Sequence, residues 1–320
     1  MDDTEQGTRD ARGYWRPKER LAYPRVLVWP PDPRGVLRWL PGYLFPWNAL
    51  YLGIAVAAWR LLTPPLAEMK TFEIWWAGEI LARNVAVVVV LYGLMHVRLY
   101  VRRAQGRAFK YDGRWPDAPH RAFLFSDQTL DNMVFSLGLG VPIWTAYEVL
   151  TLLAMANGVV PVVDWSAHPV YCAALLFLLP LFREVHFYVA HRILHWRPLY
   201  KTVHKLHHKN VNPGPWSGLA MHPVEHLLYF SGVLLLWLVP AHPLHVIFQL
   251  MEAGLSPAAA HVGFHRVAFG ERRAIETYCF AHYLHHRFFN CNYADGTVPL
   301  DKWLGTFNDG EAGPSNRPSR

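Results

Sequence analysis

Fifteen of the 18 histidines fall between His186 and His286; only His96, His120 and His168 come earlier. Four clusters stand out within that stretch. His191-Arg-Ile-Leu-His195 and His261-Val-Gly-Phe-His265 are HxxxH boxes, and His204-Lys-Leu-His207-His208 and His282-Tyr-Leu-His285-His286 are HxxHH boxes. Residues at i, i+3 and i+4 share one helix face. Each HxxHH box is therefore expected to aim two or three imidazoles at one point, and each HxxxH box two. Counting template matches makes chance recurrence of all four negligible. Imidazole suits zinc, copper, iron and nickel. Ten nitrogens exceed the four of one tetrahedral zinc site and fit two metals of higher coordination number. Soluble di-iron bundles rely on carboxylates with Glu-x-x-His pairs, and this region has few acids to offer. The spacing points to an all-imidazole, two-metal centre.

A competing motif lies inside the same stretch. His222-Pro-Val-Glu225-His226 matches the H-x-x-E-H pattern of a zinc peptidase. That reading, a zinc-dependent membrane metallopeptidase, leaves the four boxes unexplained. A histidine-rich metal transporter is the other alternative, and it predicts ligands near mid-membrane. His186 and His222 are candidates to support the ligands from behind.

The elements that must position the boxes are apolar. The chain of 320 residues is 52% hydrophobic and only 17% charged. Trp39 to Trp59 carries no charge and is long enough to cross a bilayer. Asn84 to Val97 is shorter, with Arg83 and Arg98 placed to snorkel, so a span over about residues 80–101 is expected. Asn132 to Val163 holds a single charge, Glu148, and Trp165 to Phe182 holds none. Leu227 to Met251 is interrupted by Pro240 and Pro243 and reads as a broken hairpin. The fold class expected is all-α: a multi-pass transmembrane bundle with a cytosolic, histidine-rich di-metal cap. Its parts are an irregular Pro-rich tail (1–38), transmembrane helices (39–182), a histidine-box region with a membrane hairpin at about 227–251 (183–310), and a disordered tail (311–320).

Charge sets the orientation. Arginine and lysine crowd the tail and the 98–121 stretch, while the other connections hold few. By the positive-inside rule both basic segments are cytoplasmic. Counting spans from there brings the chain out on the cytoplasmic side near residue 183, where the boxes begin. The net charge of +7 is membrane-flanking, with no nucleic-acid module. Cys172, Cys279 and Cys291 form no CxxC pair, so neither a disulfide scaffold nor a thiolate zinc site is expected. No signal peptide opens the chain. Ser315–Arg320 carries no endoplasmic-reticulum retrieval signal, which favours a bacterial cytoplasmic membrane.

These residues resemble the fatty acid hydroxylase and sterol desaturase superfamily, in its bacterial sterol-desaturase-like form. The first two boxes, joined by Tyr200-Lys201, match that family in order and spacing. So do Asn212-Pro-Gly-Pro-Trp216 before His222-Pro223, the run His285-His286-Arg-Phe-Phe-Asn290-x-Asn292-Tyr293, and Pro299-Leu-Asp301-Lys-Trp303-Leu-Gly305-Thr306-Phe307. The resemblance covers about residues 125–310. It implies two irons (zinc can substitute in purified protein) on His191, His195, His204, His207, His208, His261, His265, His282, His285 and His286. It implies hydroxylation or desaturation of a lipid, with O2 and two electrons, at an unactivated C–H bond. Sterol, fatty acyl chain, sphingoid base, carotenoid and aminolipid all remain open as substrate. The chain has no dinucleotide loop and no haem or iron–sulfur motif, so an external donor, cytochrome b5-like or ferredoxin-like, is expected. Glu148, Asn292 and Asp301 are the candidate catalytic residues beside the metals: Glu148 as an intramembrane acid, the other two as partners of the outer histidine nitrogens.

Overall fold

A computed structural model describes residues 3–27, 29–30, 32–116, 119–270 and 273–310. The expected disordered tail, 311–320, lies outside the described residues. The fold is all-α, with two small hairpins. In chain order the elements are β1 (Gly7–Arg9), β2 (Trp15–Pro17), α1 (Pro33–Tyr43), α2 (Ala49–Leu61), α3 (Ile74–His96), α4 (Gln128–Phe135), α5 (Val141–Ala156), α6 (Pro169–Leu194), α7 (Arg197–Leu199), α8 (Lys205–His208), α9 (Pro223–Phe230), α10 (Pro243–Ala260), β3 (Arg266–Phe269), β4 (Arg273–Glu276), α11 (Phe280–Phe288) and α12 (Leu300–Trp303).

The protein is an integral membrane protein. Among the described residues, three helices are long and apolar enough to cross a bilayer: Ile74–Val101, Gln128–Ala156 and Pro169–Leu194. Four spans were expected, and Trp39 to Trp59 is the one that differs. Phe45 precedes Pro46, and the proline ring disfavours a helical conformation at the residue before it. Phe45 is extended (φ −121°, ψ 144°). The run therefore breaks into α1 and a 13-residue α2. At about 1.5 Å per residue α2 covers about 20 Å, short of the roughly 30 Å hydrocarbon core. The expected hairpin at 227–251 is also different in kind. Its second arm, α10, is buried along almost all its length and packs against α2, α3, α5 and α6 as the centre of the bundle.

α6 matters most for the site. It was expected to end at Phe182 but continues to Leu194. Its 26 residues rise about 39 Å, so one continuous helix is long enough to cross the membrane and carry the first histidine box beyond it.

The tail is not irregular throughout. Asp10 Oδ1 accepts hydrogen bonds from Arg12 N and Tyr14 N, both at 2.9 Å, and Gly13 takes φ +86°. This turn closes the β1–β2 hairpin. Trp15 then buries itself against Phe109, Tyr111 and His265.

Glu148 belongs to the bundle and not to the histidine site. It pairs with Arg83 of α3 and accepts from Asn84 Nδ2 at 3.1 Å, while Arg83 Nη1 donates to Thr63 Oγ1 at 2.6 Å. Every charge in this cluster is buried and paired. Removing one partner leaves an uncompensated buried charge, which costs about 3–5 kcal/mol. Glu148→Ala should therefore lower the melting temperature in detergent sharply at unchanged metal content, and Arg83→Met/Glu148→Leu should recover much of it. A stable Glu148→Ala protein that has lost metal would return Glu148 to the site.

Candidate metal centre

Four elements deliver the boxes. α6 presents His191 from its last turn and His195 from its C-cap. A π turn, Tyr200–His204, leads into α8 and supplies His204, His207 and His208. α10 ends on His261, and α11 carries His282, His285 and His286. These nine side chains form two groups, one of His191, His195, His204, His208 and His285, the other of His207, His261, His282 and His286. The ligand atoms of each group lie within 4.8 Å of one another.

The boxes do not each aim at one point, as expected. Each HxxHH box is shared. Its first and last histidines go to one group and its middle one to the other: His204 and His208 against His207, and His282 and His286 against His285. The i and i+4 side chains lie closest to one helical line, and the i+3 side chain lies to its other side. The two HxxHH helices thus hold the two groups side by side.

His265 joins neither group. The HxxxH rule holds only while the helix continues, and α10 stops at His261. Gly263 (φ +75°) turns the chain, and His265 Nδ1 meets the Tyr111 hydroxyl at 3.2 Å instead.

Within the groups the Nε2 atoms face one another. In the first, His195–His208, His195–His285, His208–His204 and His285–His208 stand 3.1, 3.2, 3.0 and 3.1 Å apart. In the second, His261 stands 3.1, 3.1 and 2.9 Å from His207, His286 and His282. For three of the rings the outer nitrogen explains why a lone pair faces inward. His191, His285 and His261 donate Nδ1–H to the carbonyls of Tyr293, Cys291 and Pro257 at 2.9, 2.7 and 3.0 Å. A ring that donates from Nδ1 presents an unprotonated Nε2. Burial, reinforced by the neighbouring imidazoles, holds the rings neutral: His195 is pushed down to about 2, burial brings His261 to about 4, and His204, His207, His208, His282, His285 and His286 fall well below the usual range.

Neutral lone pairs converging at about 3 Å repel unless a cation stands between them. With imidazole–metal bonds of about 2.1 Å, neighbouring ligands are about 3.0 Å apart in an octahedron and about 3.4 Å apart in a tetrahedron. The observed 2.9–3.2 Å is of that order. The donor set thus fits a metal in each group, of the kind that imidazole favours.

Glu225 was legible only as part of the peptidase motif, and the structure gives it a different role. Its Oε1 lies 2.7 Å from His204 Nδ1. Burial pushes Glu225 up and His204 down, and the two share this one hydrogen bond. His222 caps α9 through Val224 N, and His226 Nε2 bonds Leu219 O at 3.1 Å. The three peptidase residues do not converge. His186 bonds Ser231 Oγ at 3.0 Å and does not support a cluster histidine.

Asn292 and Asp301 bond no histidine nitrogen either. Asp301 accepts from Tyr293 N, Ala294 N and Thr306 Oγ1 at 2.8, 2.8 and 2.6 Å. Asn292, at φ +53°, exchanges hydrogen bonds with the backbone of Asn308. Together they brace the loop whose Cys291 and Tyr293 carbonyls orient His285 and His191. They position the site from behind.

A cavity of about 470 Å³ opens onto these histidines. Trp39, Tyr43, Trp47, Tyr51, Phe187 and Tyr229 line it, and His191, His204, His207, His261 and His282 form its inner wall. Its size is that of a site for a mid-sized organic ligand.

Residues 176–306 match the fatty acid hydroxylase family. The chain is 28% identical over 153 residues to a Delta(7)-sterol 5(6)-desaturase of Candida glabrata, covering 45% of this chain and 39% of that protein. It is 33% identical over 153 residues to the Delta(7)-sterol-C5(6)-desaturase of Nicotiana tabacum, covering 46% and 53%. The histidine-box region of the chain is thus similar to the fatty acid hydroxylase and sterol desaturase superfamily. A probable Delta(7)-sterol 5(6)-desaturase of Neurospora crassa aligns over 74% of this chain and 68% of its own length, at 23% identity. The chain thus spans about two fifths to half the length of the first curated relatives it matches. No solved structure matches it.

Proposed function

We propose that this protein is a membrane-bound oxidoreductase that hydroxylates or desaturates a lipid, with one iron in each histidine group. The observation that carries the reading is the pair of adjacent all-imidazole groups on the wall of an apolar cavity. Iron and O2, with two electrons from outside, supply oxidation of an unactivated C–H bond. The chain's own residues do the rest. His191, His195, His204, His208 and His285 would hold one metal, and His207, His261, His282 and His286 the other. Glu225 and the carbonyls of Tyr293, Cys291 and Pro257 fix the ligand rings by their outer nitrogens. The aromatic wall orients the lipid chain and excludes water from the metals. Phe187, with its ring centre 5.0 Å from that of His191 and 6.3 Å from that of His282, is placed to press the substrate against both groups.

The basic segments favour a cytoplasmic face for the histidines. Arg197, Lys201 and Lys205 recur every fourth residue and are exposed beside His195, a patch suited to an acidic electron carrier such as a cytochrome b5-like or ferredoxin-like protein. The test is metal analysis after anaerobic purification in detergent, followed by assay with such a donor on membrane lipid extracts at low and high salt. Roughly two irons per chain and an O2-dependent lipid product, weaker at high salt, are expected. A single zinc and no O2 requirement would end this reading.

A further inference from the structure

The cavity has a charged end as well as a histidine end. α6 lines it with Arg183, Phe187 and His191, and α10 lines it with Glu252, Ser256 and His261. Both helices therefore run from charge to histidine in the same sense. Arg183 and His191 are eight residues apart and Glu252 and His261 nine, which at about 1.5 Å per residue are axial distances of about 12 and 14 Å. Two independent rulers give nearly the same length.

At the charged end Arg183 Nε donates to Glu252 Oε1 at 2.8 Å, and its Nη2 donates to Asp295 Oδ2 at 2.8 Å. The Glu252 side chain is only 2% exposed, yet its Oε2 has no hydrogen-bond partner. A buried carboxylate oxygen left unpaired is destabilising by its full desolvation cost. Few native groups are left so. A hydrogen-bond donor brought in by a ligand would relieve it. Ser256, one turn further along α10, also faces the cavity, and beyond it the wall is mostly apolar until the histidines.

We propose that Glu252, held in place by Arg183, receives the hydroxyl head of the lipid, and that the length of α6 and α10 between head and histidines directs oxidation to a C–H bond remote from that head. The assignment rests on the lipid-oxidation reading above and narrows it to hydroxyl-bearing lipids. Glu252 fixes where the chain lies and takes no part in breaking the C–H bond.

The test is binding of stearyl alcohol, its methyl ether and octadecane to the full-length, metal-loaded protein in detergent, followed by the fluorescence of Trp39 and Trp47, which line the cavity. The wild type should bind the alcohol about tenfold more tightly than the ether, the worth of a hydrogen bond to a charged acceptor. In Glu252→Gln the amide oxygen keeps the bond to Arg183 and the amide N–H faces the cavity. The preference should vanish or invert in favour of the ether, at unchanged metal content. Equal binding of alcohol and ether by the wild type overturns the proposal, and so does a Glu252→Gln protein that still prefers the alcohol. Binding of none of the three overturns it together with the lipid reading. A wild type that prefers the alcohol but forms no O2-dependent product upholds the head site and sinks the oxidation reading alone.

Discussion

His261→Ala should lose one metal and nearly all activity, while His265→Ala, four residues away in the same HxxxH box, should keep both metals. His261 is the hub of the second group: its Nε2 stands within 3.1 Å of three other imidazoles. Its loss leaves His207, His282 and His286 around an open coordination position. Disturbing groups behind a metal ligand already costs about 10–100-fold in affinity or activity, so removal of the ligand itself should cost at least ~100-fold. Metal content should fall from roughly two per chain to roughly one, because the first group shares no side chain with the second. His265→Ala instead leaves the buried Tyr111 hydroxyl without its closest side-chain partner, a loss of about 1–3 kcal/mol in stability. Metal analysis and melting curves on the two variants separate these outcomes. A His265→Ala protein that is stable but short of one metal would refute the split assignment. The shared boxes add a second check: His285→Ala should empty the first group and His286→Ala the second, although the two residues are adjacent in sequence.

The boxes were legible because helical spacing acts over four residues and needs no tertiary knowledge. How they divide was not legible, because it depends on the side from which α8 and α11 approach each other. His265 misled because HxxxH implies a shared face only if the helix persists, and Gly263 at positive φ ends that premise. The break at Phe45 could have been read from Pro46, but counting only charges made Trp39 to Trp59 look like one span. Asn292 and Asp301 follow the last box closely in the sequence. Their action through the Cys291–Ala294 backbone was hidden, since hydrogen bonds to main chain leave no side-chain pattern. Glu225 sat in a motif that pointed elsewhere, and a buried carboxyl beside histidine boxes was the signal to weigh instead. The tail's composition concealed a turn at Asp10–Gly13 that four residues suffice to specify.

Acid should destabilise the metal-free protein over a defined window. Eight cluster histidines outside the membrane-spanning helices have lowered pKa values in the folded state, with His261 at about 4 and His195 at about 2. In the unfolded chain they titrate near 6.5. Below that pH the unfolded state binds more protons than the folded one, so stability falls as pH falls. Their contribution is fully present above about pH 6.5 and is lost progressively as pH falls, towards about 4 for His261 and about 2 for His195. Glu225 and Asp301 act in the opposite sense: burial raises both, so each favours the folded state at low pH. The histidines outnumber the buried acids and leave their sign in control. Bound metal competes with the same protons for the same Nε2 lone pairs. It should therefore raise the melting temperature most at neutral pH and least near about pH 5. Melting curves in detergent, with and without added iron(II) under anaerobic conditions, would show both effects. A melting temperature flat from about pH 7.5 to about pH 5 in the metal-free protein would mean that these rings are already protonated or exposed, and the two groups would then not be the neutral, convergent cages that their geometry describes.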